Sequence, residues 1–331
     1  MRYLGSKTLL LNEISQIITS CAVEGTFCDP FGGIGTVGSC MKKQGYKVIT
    51  GDILNFAHYF QIALIQLDAP MEFAAIKKKF LFKDNSEIEK YMNTLIASKG
   101  WLIEEYAMKR QFFTLENARH IQGCINCIEK WKEKNILDEQ EYKVLLASLI
   151  QSFDKIANTA GTYYAYLKKY YRKALQPFCF ELLQPIKGKR GCCSFLMDAA
   201  KLIEISNYDI LYLDPPYNER RYGKYYHLPE TIAIGENPCP MGKSGVSTPY
   251  EICSKFNKKN QASDEFEKII RMARAKYIIF HYTDKGLIST NTVRDILSAK
   301  GHVDEFYFDS KGYHTTKKTD ECQHHIFRVI V

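Results

Sequence analysis

The spacing of apolar residues changes period twice along the chain, and the changes divide it. Residues 8–67 alternate helical and extended patterns, residues from about 70 to 158 keep a helical period, and the alternation returns after about Cys192. The run from Tyr208 to Leu213 has the pattern of a parallel strand buried on both faces. A short strand ending at Asp29 and another over residues 47–52, ending at Asp52, are predicted near the N-terminus. Residues 303–308 and 326–330 predict a closing pair of strands. In the middle, Asp138 with Glu141 three residues later predicts a capped helix start. Tyr142, Leu145, Leu146, Leu149, Ile150 and Phe153 follow at helical spacing and predict a core stripe, with Trp101 and Trp131 as core anchors. The fold class is therefore α/β: one sheet built from both ends of the chain, interrupted by a mainly helical insert. The parts are residues 1–70, the insert 71–190, and residues 191–331.

Composition adds little to this until charge is followed along the chain. The 331 residues suffice for one or two domains, and no apolar run reaches membrane-spanning length. The 11 Cys are scattered, which predicts reduced thiols in a cytoplasmic protein. Cys124-x-x-Cys127 lacks a second pair, and Cys322, His324 and His325 stand far away, so no metal site is expected. The net charge of +8 permits a polyanionic partner without demanding one. Between Tyr163 and Arg190, however, there are seven Lys or Arg and one Glu, interleaved with Tyr. Lys168, Lys169 and Arg172 are candidates for phosphate contacts, and the rings for stacking on bases. The plainer alternative is a helix with a wet basic face. A proline- and glycine-rich stretch, residues 235–262, predicts a long loop that orders over DNA or is a surface insertion.

The chemistry sits at strand ends. Asp214-Pro215-Pro216-Tyr217 closes the apolar run, and two prolines cannot continue a sheet. A carboxylate and the Pro215 carbonyl can accept both hydrogens of an exocyclic amine, and the Tyr217 ring can stack on a planar base. A strand end with an ordinary turn is the bland reading of the same residues. After Asp29-Pro30-Phe31, the glycines through Gly33 and Gly35 open a helix running to about Gln44, with Gly45 as its C-cap, and Asp52 follows about 20 residues on. This βαβ pattern suits an adenosine-type cofactor whose ribose Asp52 binds. Gly33-x-Gly35-x-x-Gly38 also fits a dinucleotide fingerprint, but an acid and a rigid turn at Asp29-Pro30-Phe31 suit a cationic ligand better than a pyrophosphate. At the N-terminus, Arg2-Tyr3-Leu4-Gly5-Ser6-Lys7 reads locally as a helix start with Ser6 as N-cap. Chemistry on the amino group of cytosine (N4), chemistry on RNA, and a non-catalytic regulator that keeps a cofactor pocket all stay open on these residues.

Together, Arg2 to Lys7, Asp29 to Gly35 and Asp214 to Tyr217 resemble the motifs of DNA adenine-N6 methyltransferases. Their order resembles the alpha group, which includes the Dam-type enzymes. Asn218 to His227, with Arg220 and Arg221, and the stretches 255–259, 277–282 and 286–288 resemble the FokI-type branch. The resemblance implies a Rossmann-like sheet that binds S-adenosyl-L-methionine. Its expected contacts are Tyr3, Lys7, Asp29, Pro30, Phe31, Gly33, Gly35, Asp52, Asp214 and, near the cofactor adenine, Asp198, which otherwise reads as an N-cap. It further implies that Asp214, Pro215, Pro216 and Tyr217 act on the N6 amine of an adenine flipped from double-stranded DNA. The insert would hold the target-recognition region, with Arg220 and Arg221 joining Lys168, Lys169 and Arg172 on DNA. The expected setting is restriction–modification: a monomeric enzyme, with a restriction endonuclease encoded nearby and no membrane partner.

Overall fold

A computed structural model describes residue 1 and residues 3–246, 253–311 and 321–331. Arg2 of the N-terminal motif, residues 247–252 of the proline- and glycine-rich stretch, and the Cys322 side chain lie outside the described part. In chain order the elements are α1 (Leu11–Thr19), β1 (Thr26–Asp29), α2 (Thr36–Lys43), β2 (Lys47–Asp52) and α3 (Asn55–Gln61). Then come α4 (Ala74–Phe80), α5 (Asn85–Thr94), α6 (Trp101–Ile103), α7 (Leu115–Glu133) and α8 (Glu139–Asp154). After them run β3 (Cys193–Leu196), α9 (Ala199–Glu204), β4 (Tyr208–Leu213), α10 (Tyr222–Tyr225) and α11 (His227–Ile234). The chain closes with α12 (Ala262–Met272), β5 (Ala275–Thr283), α13 (Thr290–Ser298), β6 (His302–Lys311) and β7 (Glu321–Ile330).

Two compact units result. One consists of Lys7–Ile53, Lys187–Arg221 and Cys253–Val331; the other of Met1–Ser6, Leu54–Ile186 and Tyr222–Ile252. Compactness thus divides the chain at other points than residues 70 and 190. The helical unit takes residues 54–70, most of the segment after Asp214-Pro215-Pro216-Tyr217, and the first residues of the chain.

The sheet unit has strand order β3-β2-β1-β4-β5-β7-β6. β1 to β5 are parallel, and β7 runs antiparallel to both β5 and β6. Strand order reverses between β1 and β4, so a crevice opens at the carboxyl ends of that pair. Cys28 pairs with Leu211. That register brings Asp29 and Asp214 out on the same edge. β4 is buried from Ile210 to Leu213, as a central parallel strand must be. One face packs Leu211, Leu213, Ile278 and Phe280 against Leu202, Phe266, Ile270 and Leu297 of the flanking helices. Burying side chains of this size stabilises the fold by roughly 1.5–3 kcal/mol each before entropy is subtracted.

The expected helix start at Ser6 is corrected. Gly5 has φ +78°, which turns the chain, and Ser6 N–H bonds to the Tyr3 carbonyl. α1 begins at Leu11 without a side-chain cap and buries Ile14, Ile17 and Ile18.

In the helical unit, Asp138 accepts from Glu141 N at 2.7 Å and the Glu141 carboxylate accepts from Asp138 N at 3.0 Å. The stripe from Tyr142 to Phe153 is buried throughout, as is Trp131, while Trp101 is half-buried with its indole N–H on the Pro238 carbonyl. The basic, Tyr-rich stretch is not a helix. Its one helical turn is a 3₁₀ turn, Arg172–Leu175. Asn158 explains why: its Oδ1 accepts from Tyr171 N and its Nδ2 donates to the Leu167 carbonyl, taking backbone groups a helix would need. The stretch expected as one long loop is ordered in its described parts. Arg110 donates to the carbonyls of Pro240 and Gly242, and Tyr106 Oη donates to that of Gly245. Its later residues form a capped 3₁₀ turn at Lys255–Asn257 in the sheet unit.

Candidate active site

The site grows out of the end of β4. The strand is apolar and buried, Pro215-Pro216 ends its hydrogen bonding, and Asp214 is the first polar side chain beyond it. Asp214 is 16% exposed, and Lys7 Nζ lies 2.6 Å from its Oδ2. Burial pushes the Asp214 carboxyl above its ordinary value, and Lys7 opposes the shift. The other oxygen, Oδ1, is 3.9 Å from His281 Nδ1. Burial, and then the Lys7 charge, hold His281 well below the ordinary imidazole value. It is neutral at pH 7, so this contact is not an ion pair. His281 also meets Tyr212 Oη at 3.3 Å and His324 Nδ1 at 2.9 Å.

Tyr217 stands edge-on to Tyr282, with centroids 6.5 Å apart, and its carbonyl accepts from Leu287 N at 3.0 Å. The turn that follows is clamped by Asn257, whose Nδ2 donates to the carbonyls of Asn218 at 2.8 Å and Arg220 at 3.0 Å. Arg220 and Arg221 are exposed on that turn.

The glycine loop supplies the other half. Asp29 ends β1 at 2% exposure, and its Oδ1 has no hydrogen-bond partner. Burial, and then the Asp214 charge, push its carboxyl well above the ordinary value. An unmatched buried carboxylate oxygen is costly to fold around, and a cation would match it. Gly33 and Gly35 have φ of +50° and +82°, values that favour glycine, and Gly33 N donates to Asp52 Oδ2 at 3.0 Å. Phe31 packs edge-on against Phe256 at 5.5 Å. Asp198 caps α9, its Oδ1 accepting from Ala200 N at 3.0 Å, as its plainer reading predicted.

The structure therefore brings Lys7, Asp29, Gly33, Asp52, Asp214 and Tyr217 onto the carboxyl edge of one sheet. Tyr3 belongs to the other unit, where its ring stacks on Tyr226 with centroids 5.0 Å apart. Lys168, Lys169 and Arg172 are exposed there too. Sequence reasoning did not find that Lys7 pairs with Asp214, nor that Asn257 and Leu287 hold the turn around Asp214-Pro215-Pro216-Tyr217. The stretches carrying those two residues stood out by resemblance, but no spacing said what they touch.

Such an edge offers a Lys7-paired carboxyl and a stiff carbonyl to an amine, and an unsatisfied acid to a cation. Residues 3–296 match the D12 class of N6 adenine-specific DNA methyltransferases. The chain belongs to that family. Its reaction is methylation of adenine N6 in DNA, with S-adenosylmethionine as donor. Cytosine N4, RNA and the non-catalytic regulator are set aside accordingly. The type II methyltransferase M.NlaIII of Neisseria lactamica is 34% identical over 312 residues, covering 92% of this chain and 90% of that protein. The type II methyltransferase M.FokI of Planomicrobium okeanokoites is 33% identical over 312 residues, and this chain spans 47% of its length. The modification methylase LlaI of Lactococcus lactis is 32% identical over 306 residues, and this chain spans 48% of it. A solved structure, magnesium protoporphyrin IX methyltransferase of Synechocystis PCC 6803, aligns with a TM-score of 0.35 at 9% identity over 97% of this chain and 82% of that one. That likeness is too distant to carry an argument.

Proposed function

We propose that Asp214 and the Pro215 carbonyl accept the two N6 hydrogens of a flipped adenine, beside S-adenosylmethionine lying along Asp29 to Gly35. The observation that carries this reading is the pair of buried acids on one sheet edge. One of them, Asp214, is matched by Lys7, and the other, Asp29, keeps an unpartnered oxygen. The fit to the cofactor is chemical. Asp29 Oδ1 would accept from the ammonium of the methionine moiety, Asp52 would accept from the ribose hydroxyls, and the positive-φ glycines would let the backbone approach. Tyr3, Lys7, Pro30, Phe31 and Asp198 are assigned to the same cofactor by resemblance. When bound, the cofactor supplies an electrophilic methyl group on a sulfonium.

The protein's own part is to make N6 nucleophilic. The nitrogen lone pair is delocalised into the purine ring. Accepting both N–H hydrogens at Asp214 and Pro215 draws the nitrogen toward a tetrahedral shape and localises the pair. Lys7 keeps Asp214 ionised despite burial, and it does so from Oδ2, which leaves Oδ1 for the substrate. Asp214 is too weak a base to deprotonate neutral adenine, but it can take the proton once the nitrogen is methylated and cationic. Pro216 stiffens the turn, and Tyr217 stacks on the flipped base. Positioning of the amine by these groups would supply much of the remaining acceleration.

The setting proposed is restriction–modification on double-stranded DNA. The protein acts as a monomer, with a restriction endonuclease encoded nearby and no direct contact between the two implied. The helical unit carries target recognition, Lys168, Lys169, Arg172, Arg220 and Arg221 contact phosphates, and the ordered parts of residues 235–262 close over DNA. The test is incubation with methyl-labelled S-adenosylmethionine and unmethylated bacterial DNA, followed by digestion to nucleosides. Label in N6-methyladenine at one mapped site is expected. Label elsewhere, or none with cofactor still bound, would sink the reading.

A further inference from the structure

Beyond the end of β4 the backbone has no ladder to lean on. Pro215 and Pro216 carry no N–H, and residues 214–221 belong to no helix or strand, so the polar groups of this segment need partners from elsewhere in the chain. Asn257 supplies a donor for two of them. It is 6% exposed, and its Nδ2 donates to the carbonyls of Asn218 at 2.8 Å and Arg220 at 3.0 Å, across 39 and 37 residues of sequence. The post from which Asn257 reaches is itself fixed. Its Oδ1 accepts from Ser254 N at 3.2 Å, and Ser254 Oγ accepts from Phe256 N at 3.3 Å, which closes the 3₁₀ turn Lys255–Asn257. Lys255 Nζ pairs with Glu265 of α12 at 2.9 Å. Phe256 is buried in the core against which Phe31 and Tyr217 both pack, and its ring meets Phe31 edge-on at 5.5 Å. Two neighbouring residues thus serve the two halves of the site. Phe256 backs the glycine loop, and Asn257 holds the turn after Tyr217.

We propose that Asn257 is a positioning residue for methyl transfer, its side-chain amide setting the turn that carries Tyr217 and hence the spacing between target base and glycine loop. This rests on the reading that Asp214, Pro215 and Tyr217 act on the adenine. Leu287 N–H and the Tyr282 ring hold Tyr217 itself, and Asn257 holds the residues that follow it. Misplacing a reacting group by about 1 Å can cost about a hundred-fold in rate. A clamp of this kind therefore acts on the chemical step, through Tyr217, and leaves affinity alone. Ser254 serves as the comparison. It caps the same 3₁₀ turn but makes neither donation to the turn after Tyr217.

The experiment uses the full chain, S-adenosylmethionine and a duplex carrying the mapped site, and reads the single-turnover rate, the Kd of each ligand and Tm. Asn257→Asp keeps the acceptor for Ser254 N, and with it the closed turn, but loses both donations. It and Asn257→Ala should each slow single-turnover methylation by about ten- to a hundred-fold, with both Kd values near wild type. Ser254→Ala should lower Tm and leave the rate near wild type. Asn257→Asp added to Tyr217→Ala should slow the reaction little beyond Tyr217→Ala alone, because a residue acting through Tyr217 has nothing left to position. Wild-type rates in both Asn257 variants would overturn the proposal while the methyltransferase reading stands. So would a loss confined to Kd, an equal loss of rate in Ser254→Ala, or full additivity with Tyr217→Ala. Wild-type activity in Asp214→Ala would instead bring down the underlying reading, and the role of Asn257 with it.

Discussion

Glu230 and Asp29 are both buried carboxylates, one in each unit, and their surroundings are opposite. Glu230 in the helical unit is fully buried and accepts from Asn55 N at 3.0 Å, Asn55 Nδ2 at 2.8 Å and Phe56 N at 3.1 Å. It satisfies the first turn of α3, whose own N-cap residue is Leu54. Asp29 in the sheet unit keeps an oxygen with no partner, beside a second buried acid on the next strand. The first acid is used up by the fold. The second is left under-satisfied, which the fold tolerates where a ligand will complete it. Burial raises the carboxyl of each; at Glu230 the hydrogen bonds from Asn55 and Phe56 are all that oppose it, whereas at Asp29 the Asp214 charge adds to the rise before the Phe31 backbone hydrogen bond opposes it.

Substitutions can break this contrast. The largest effect is expected at the chemical centre: Asp214→Ala should lower methyl transfer by about 10³-fold or more while leaving cofactor binding measurable. Next comes Glu230→Ala, which strands buried donors. It should cost about 3 kcal/mol of stability and lower Tm, with cofactor affinity retained by the folded fraction. Lys7→Met should act through pH. Asp214 works only when ionised, so activity falls as pH drops through its pKa, which already lies above the ordinary carboxylate value. Removing Lys7 removes the influence that lowers it. The acid limb of kcat should then move to higher pH, with roughly a ten-fold loss per pH unit at pH values below the limb. Smallest in turnover is the joint change of Lys168, Lys169 and Arg172 to Ala. Its signature should be a log–log salt dependence of DNA binding shallower by about 0.9 for each phosphate no longer neutralised.

The contrast also shows what the sequence made legible. β4 could be read residue by residue, because a buried parallel strand is an apolar run and two prolines end it, and β2 could be bounded by the Gly51-Asp52 at its end. The α8 capping box was legible because its logic spans only Asp138 to Glu141. Asp29, Asp52 and Asp214 could be named because strand ends are where ligands bind. Partnerships across the chain were not legible. Nothing near Lys7 in sequence points to Asp214, and nothing near Asn257 points to the carbonyls of Asn218 and Arg220. The unit boundaries were hidden for the same reason, since hydrogen bonds between Tyr163 and the segment Tyr225 to His227 draw residues 222–252 into the helical unit. Ser6 misled because a good N-cap residue was followed by leucines, while the positive φ of Gly5 turns the chain first.

Whether Asp29 is kept for a ligand is tested most directly by measuring S-adenosylmethionine affinity and thermal stability together in Asp29→Asn. A carboxyl whose folded pKa is raised adds stability at acid pH and loses it as pH rises through that value, so Asp29 favours the fold less at neutral than at acid pH. Cofactor affinity should fall by about ten- to a hundred-fold, with Tm at pH 7 unchanged or higher. Full affinity in the variant, or a fall in Tm like that of Glu230→Ala, would mean that Asp29 serves the fold and not the ligand.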